Sequence, residues 1–179
     1  MEIEKIITDK KILSIYKKYQ NRMPFQVVEF ANEIGIDVYA DNMPSNISGK
    51  IKKQGDKFTC YINKKDAAHR QVFTIAHELG HYFRHQDWFQ KHDTIEEKEV
   101  RELFNTFIDH RPKEYSEEQK KMEKQANEFA AELLMPENLI KEKWHELKSV
   151  NKMSKYFGVS EISMSIRLAN VIGDIRFII

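Results

Sequence analysis

Residues 74–81 read Thr74-Ile75-Ala76-His77-Glu78-Leu79-Gly80-His81, and the rest of the chain is best read outward from them. The apolar residues Val72, Ile75, Ala76, Leu79 and Phe83 recur at helical spacing, which predicts a helix over residues 67–85 with Asp66 as its N-cap. On that helix the segment is H-E-x-x-H. Four helical residues rise ~6 Å through a little more than one turn, so the imidazoles of His77 and His81 leave the same face. They can converge on one ion at ~2.0–2.1 Å. Glu78 projects beside that ion, where it can take a proton from water whose pKa the ion lowers toward ~7. A chance occurrence is disfavoured by two features. The histidines lie off the apolar stripe, and Gly80 sits mid-helix at a cost of ~1 kcal/mol relative to alanine. A glycine beside two histidines predicts that something approaches the helix closely there.

A zinc peptidase site needs a third protein ligand and one open position. His85 continues the i, i+4 series but stands ~12 Å along the axis from His77, too far to share the ion. The spacing that would supply a later histidine fails, because Arg84 and Asp87 occupy the required Gly and His positions. That leaves an acidic ligand from another helix. The best candidate is Glu123, in a segment where Glu123, Ala126, Asn127, Ala130 and Leu134 share one face. A carboxylate in a stripe of small residues suits close packing against the His77 helix, whereas an isolated Glu123 would read as a solvated helix residue. Asn127, one turn on, is placed to hydrogen-bond a ligand histidine. Glu128 and Glu132 fall on the opposite, more polar face.

The surroundings of this segment predict an α+β fold. Residues 10–19 carry Ile12, Leu13, Tyr16 and Tyr19 at helical spacing. A second helix has Pro24 as an early residue and stops at Gly35. Residues 36–40 read as a strand. Residues 47–53 and 57–63 read as a hairpin around Gln54-Gly55-Asp56. From residue 86 to 120 the chain is charged and weakly periodic, with helical pieces expected near 95–108 and Pro112 interrupting. A strong helix over 116–134 stops at Pro136, another begins near Glu137, and two short helices flank Gly158-Val159-Ser160. The expected organisation is a zincin-like core over residues 1–136, in which a small mixed or antiparallel sheet packs on the HExxH helix. A charged insertion over about 86–120 interrupts that core, and 137–179 form a helical C-terminal subdomain.

Composition narrows the function. Hydrophobic residues make up 41% of the 179, enough for a packed core, and no apolar run approaches the ~20 residues that span a bilayer. The first residues lack the basic-then-apolar order of a secretory signal. The single Cys60 excludes an internal disulfide. A cytoplasmic protein with no membrane association is the simplest reading. A net charge of +1 argues against a strongly basic nucleic-acid binder. Residues 153–168 have a helix-turn-helix outline, but the second helix offers only Arg167 as a basic group. DNA contact needs several such groups, so direct DNA binding is not expected.

With these residues in hand the chain resembles the ImmA/IrrE-type metallopeptidases over about residues 24–168. The resemblance rests on Ala31-Asn32-Glu33-Ile34-Gly35-Ile36-Asp37-Val38, Ser48-Gly49, Tyr61-Ile62-Asn63, the Phe73–His81 block and Ala126–Pro136. It implies a gluzincin-like site in which His77, His81 and Glu123 hold one Zn²⁺ and Glu78 is the general base. It further implies a cytoplasmic endopeptidase that cuts a helix-turn-helix transcriptional repressor, inducing a mobile-element, phage or stress operon. No DNA-binding module precedes Pro24, so the repressor is expected on a separate chain. The stretch between His81 and Glu123 is longer than is common in such proteins and reads as a lid or a partner-specific surface. The alternative is a zinc-fold regulator that acts on a repressor or toxin by contact alone.

Two weaker features complete the reading. Residues 58–63 directly precede the metal helix, and zinc peptidases of this shape align substrate along an edge strand. That makes Cys60, Tyr61 and Ile62 candidates for substrate binding, against a purely structural strand. Cys60 alternates with Phe58 and Ile62 and by itself reads as a small core residue. His69, His92, His110 and His145 have no spacing partners and read as surface residues. Trp88 and Phe89 read as packing residues.

Overall fold

The computed structural model describes residues 2–98 and 116–173, and among these described residues lie four strands and eight α-helices. The sheet is mixed, in the order β1-β3-β2-β4. β2 (Ile47–Gln54) and β3 (Lys57–Asn63) form the predicted hairpin, and Gly55 supplies the positive φ (61°) that its tight turn requires. β1 (Asp37–Asp41) lies parallel to β3 on one side, and β4 (Thr94–Lys98) lies antiparallel to β2 on the other. Asn63 fastens the end of β3. Its buried amide donates to the carbonyls of Pro44 (3.2 Å) and Ile47 (2.9 Å), and its oxygen accepts from Lys65 N–H.

Beneath the sheet runs α4 (Ala68–Arg84), the helix that carries the H-E-x-x-H segment. Ile51, Cys60 and Ile62 of the sheet and Phe73, Ile75, Ala76 and Leu79 of α4 are buried in one apolar cluster. On α4 also packs α5 (Glu117–Leu134), which starts at a capping box. The Ser116 hydroxyl accepts from Gln119 N–H and the Gln119 side chain accepts from Ser116 N–H. The N-terminal helices α1 (Ile3–Ile6), α2 (Lys10–Tyr19) and α3 (Val27–Glu33) join the same core, with Tyr16, Tyr19, Phe25 and Phe30 packed ring to ring. α6 (Glu137–Leu147), α7 (Val150–Phe157) and α8 (Glu161–Ile172) follow Pro136, and Ile140, Met153, Phe157, Met164 and Leu168 extend the cluster into that region. No described helix is long and apolar enough to cross a membrane.

Several expectations are corrected. β3 is an inner strand rather than an edge, because β1 and β2 take up its backbone on both sides. Strand addition there is closed, so Cys60, Tyr61 and Ile62 cannot align a substrate in that way. Cys60 and Ile62 face the core, while Tyr61 stacks near Tyr39 at 5.9 Å with Lys50 over its ring. The helix expected near residues 95–108 begins instead as β4. The unsatisfied backbone edge of β2 captures Thr94 and Ile95, and that pairing outweighs the helical preference of Glu-Glu-Lys. The remainder of that expectation, with His110 and Pro112, falls outside the described residues. Pro24 precedes α3 instead of lying within it, and Ala67 rather than Asp66 occupies the N-cap of α4. Asp66 faces Arg70 at 3.6 Å and its carbonyl accepts from the Gln71 amide.

Glu132 departs furthest from its predicted place. It is buried, accepts from Arg167 Nη2 of α8 (2.5 Å) and takes the Glu137 N–H at the start of α6. Arg167 Nε donates to Met135 O (2.9 Å), so the cation considered for DNA contact is engaged within the fold.

Candidate metal centre

The packing of α5 on α4 builds the site, and Gly80 sets how close the two come. A Cβ at Gly80 would stand 2.8 Å from Ala126 Cα and 2.9 Å from Ala126 O, so only a bare backbone admits α5 at this distance. What approaches the glycine beside the two histidines is therefore the main chain of α5 itself. This approach carries Glu123 across to the histidines.

His77 and His81, one turn apart on α4, are wholly buried, and their Nε2 atoms lie 2.9 Å from each other. Glu123 reaches them from α5, with Oε2 3.2 Å from His77 Nε2 and Oε1 3.4 Å from His81 Nε2. Among the described residues these three form a group able to hold a metal ion. Ligand atoms in a tetrahedral zinc site stand roughly 3.3 Å apart, as follows from bond lengths of ~2.0–2.1 Å. The observed separations bracket that value.

Hydrogen bonding prepares the first ligand. Asn127, one turn beyond Glu123, places its Oδ1 2.8 Å from His77 Nδ1. An amide oxygen only accepts, so His77 Nδ1 carries the hydrogen and Nε2 keeps its lone pair for the centre. Without a metal the histidines and Glu123 are coupled. Burial drives the His81 imidazole below its ordinary value, outweighing the attraction of the Glu123 carboxylate. Burial alone would raise the Glu123 carboxyl. The pull of His81 and contacts with both rings override it and hold the group well below the usual carboxylate range. That attraction needs a proton between the rings and the carboxylate; a divalent ion would take the proton's place, and it requires neutral imidazoles and an ionised carboxylate. The donor set, two imidazole nitrogens and one carboxylate, fits such an ion.

Glu78 follows His77 directly on α4 and is also wholly buried. β2 crosses close to it at Gly49, where a Cβ would meet Thr74 Cγ2 at 2.4 Å and Glu78 Oε1 at 3.2 Å. The Ser48-Gly49 pair thus lets the sheet lie against the helix beside Glu78. His85 and Gln125, neither assigned a role from the sequence, also meet here: His85 Nδ1 is 3.0 Å from His81 Nδ1, and His85 Nε2 is 3.0 Å from Gln125 Oε1. The third step of the 77, 81, 85 series was the available signal. The other described histidines stay apart from the centre. His69, His92 and His145 are exposed, and His92 stacks on Trp88. Phe89 is buried edge-on to Phe58 and roots the insertion in the core.

Comparison with known proteins agrees with this geometry. The family model Peptidase_M78, described as the IrrE N-terminal-like domain, matches residues 31–169, well over half of the chain. No curated protein matches. Among solved structures, a Mycobacterium tuberculosis transcriptional regulator superposes with a TM-score of 0.57 at 16% identity, over 99% of this chain and 54% of that one. The chain thus spans about half the length of that protein, and at this identity the likeness is one of fold.

Proposed function

The chain belongs to the IrrE N-terminal-like peptidase family, and on that premise we propose that it is a zinc-dependent endopeptidase of the cytoplasm whose substrate is a helix-turn-helix transcriptional repressor. The observation that carries the chemistry is the convergence of His77 Nε2, His81 Nε2 and the Glu123 carboxylate within 3.4 Å, with Glu78 adjacent on the same helix. His77, His81 and Glu123 would hold the ion. Bound there, zinc would polarise the scissile carbonyl and make water acidic enough to react near neutral pH.

The remaining work falls to the chain. Glu78 takes the proton from the attacking water and returns it to the departing amine, general base first and general acid second. Asn127 holds the His77 ring in the tautomer that leaves Nε2 bare. The buried setting of His77, Glu78 and His81 excludes bulk solvent and strengthens each of these interactions. The choice of a repressor as substrate is supported by the Phe73–His81 and Ala126–Pro136 blocks, in which the chain resembles the repressor-cleaving metallopeptidases.

The test mixes the zinc-loaded protein with helix-turn-helix repressors from its own source organism, and compares wild type with Glu78→Gln. A discrete cut by wild type alone is expected. Equal cutting by a Glu78→Gln protein that binds zinc normally would remove Glu78 from its role. Tight repressor binding with no cut, at one metal per chain, would favour regulation by contact.

A further inference from the structure

His81 faces the centre through Nε2, and its other nitrogen enters a chain of two hydrogen bonds that ends on α5. His81 Nδ1 lies 3.0 Å from His85 Nδ1, and His85 Nε2 lies 3.0 Å from Gln125 Oε1. Two imidazole nitrogens share one hydrogen, so one of them must donate and the other accept. Gln125 decides which. Its amide oxygen can only accept, so His85 Nε2 carries the hydrogen of that neutral ring. His85 Nδ1 is then a bare acceptor and His81 Nδ1 must be the donor. His81 Nε2 is left as a lone pair aimed at Glu123 and His77. With the Gln125 amide turned over, every hydrogen would reverse and His81 Nε2 would carry a proton, closing it as a ligand.

We infer that His85 and Gln125 are positioning residues, a relay that sets the tautomer and ring orientation of His81 as Asn127 does directly for His77. This rests on the reading of His77, His81 and Glu123 as metal ligands. One segment of α5 then serves the whole centre: Glu123 as ligand, Asn127 behind one histidine and Gln125 behind the other. His85 stands in between because His81 Nδ1 meets its ring and not an amide.

The relay separates from simple packing by atom position. In asparagine, Oδ1 occupies the same place along the side chain as Nδ1 of histidine. His85→Asn therefore keeps an acceptor for His81 Nδ1 and no longer needs Gln125. His85→Leu retains bulk without an acceptor. Zinc affinity, measured by chelator competition on the full chain, should fall about 10-fold or more in His85→Leu, the usual scale for such partners. It should fall by a smaller factor in Gln125→Leu and recover in His85→Asn. Adding Gln125→Leu to His85→Asn should then change nothing further. In the zinc-loaded wild type, imidazole ¹⁵N shifts should show hydrogen on His85 Nε2 and on His81 Nδ1, a readout independent of whether any variant folds. Hydrogen on His85 Nδ1 would overturn the inference, as would His85→Leu binding zinc like wild type or His85→Asn doing no better than leucine. Failure of wild type to bind zinc at all would instead overturn the metal reading beneath it.

Discussion

Gly80→Ala should damage the metal centre and leave the fold standing. The added Cβ would lie 2.8 Å from Ala126 Cα and 2.9 Å from Ala126 O, against an ordinary contact beginning at 3.4 Å. Both obstacles are main chain in the middle of α5, so no side chain can swing away, and the helices must part by roughly half an ångström. Two terms oppose each other in stability. Alanine improves the mid-helix position by ~1 kcal/mol, while overpacking costs about 1–3 kcal/mol. The net change in the metal-free protein should be a loss of no more than about 2 kcal/mol. The centre has no such compensation. Glu123 and Asn127 flank Ala126 on the displaced helix, and ligand constellations tolerate only ~0.5 Å. Zinc affinity should therefore drop by at least about tenfold. Urea unfolding of the metal-free protein and chelator competition on the same preparation give the two numbers. Unchanged zinc affinity together with raised stability would refute the argument, because it would mean that α5 is not held at contact distance by the glycine.

Two further outcomes follow. The pair Glu132–Arg167 is largely buried and joins α5 to α8. Removing either partner should cost about 3 kcal/mol in urea unfolding, and replacing both with apolar residues should recover much of it; single variants within 0.5 kcal/mol of wild type would show the pair to be incidental. The second concerns pH in the metal-free protein. Burial, then the neighbouring His81, lowers His85 from 6.5 to about 4, and His81 moves in the same direction. The unfolded chain binds those protons more readily, so their contribution is complete above about pH 6.5 and is lost as pH falls toward 4. Glu123, also depressed, loses its contribution only below the ordinary carboxylate range. Stability should thus begin to fall below pH 6.5, and His85→Asn should flatten that limb. An identical pH profile for His85→Asn would contradict the assignment.

The parts of the molecule legible in the sequence are those whose cause is local. The spacing of His77 and His81 is a property of one helix, and the Gln54-Gly55-Asp56 turn and the stop at Pro136 are properties of a few residues. The α+β class and the IrrE-like family follow from them and hold. Glu123 was reachable because its helix face is readable, although its arrival at the histidines depends on Gly80. Apart from the helix starts at Pro24 and Asp66, which are off by a few residues, the errors share one origin, the choice of partner in three dimensions. Periodicity cannot say that β1 takes the second edge of β3, that β2 captures residues 94–98, or that Arg167 draws Glu132 inward. Alternation in residues 58–62 is equally compatible with an edge strand and an inner one, because both bury one face.

The arrangement of α5 bears on what the ion does. This helix is fixed at its start by the Ser116–Gln119 box, at its middle by contact with Gly80, and near its end by the ties of Glu132 to Arg167 and to the first turn of α6. None of those contacts involves a ligand atom. Phe129, Leu133 and Leu134 add full apolar burial along the same helix. Glu123 is thus delivered to the histidines by packing, in contrast to small zinc folds in which the ligands have no other reason to meet. In a centre assembled in this way an ion would not be needed to bring the ligands together, and the accuracy of the centre depends on residues outside the ligand set. Gly80, Asn127, His85 and Gln125 are those residues, and each acts on the position or tautomer of a ligand.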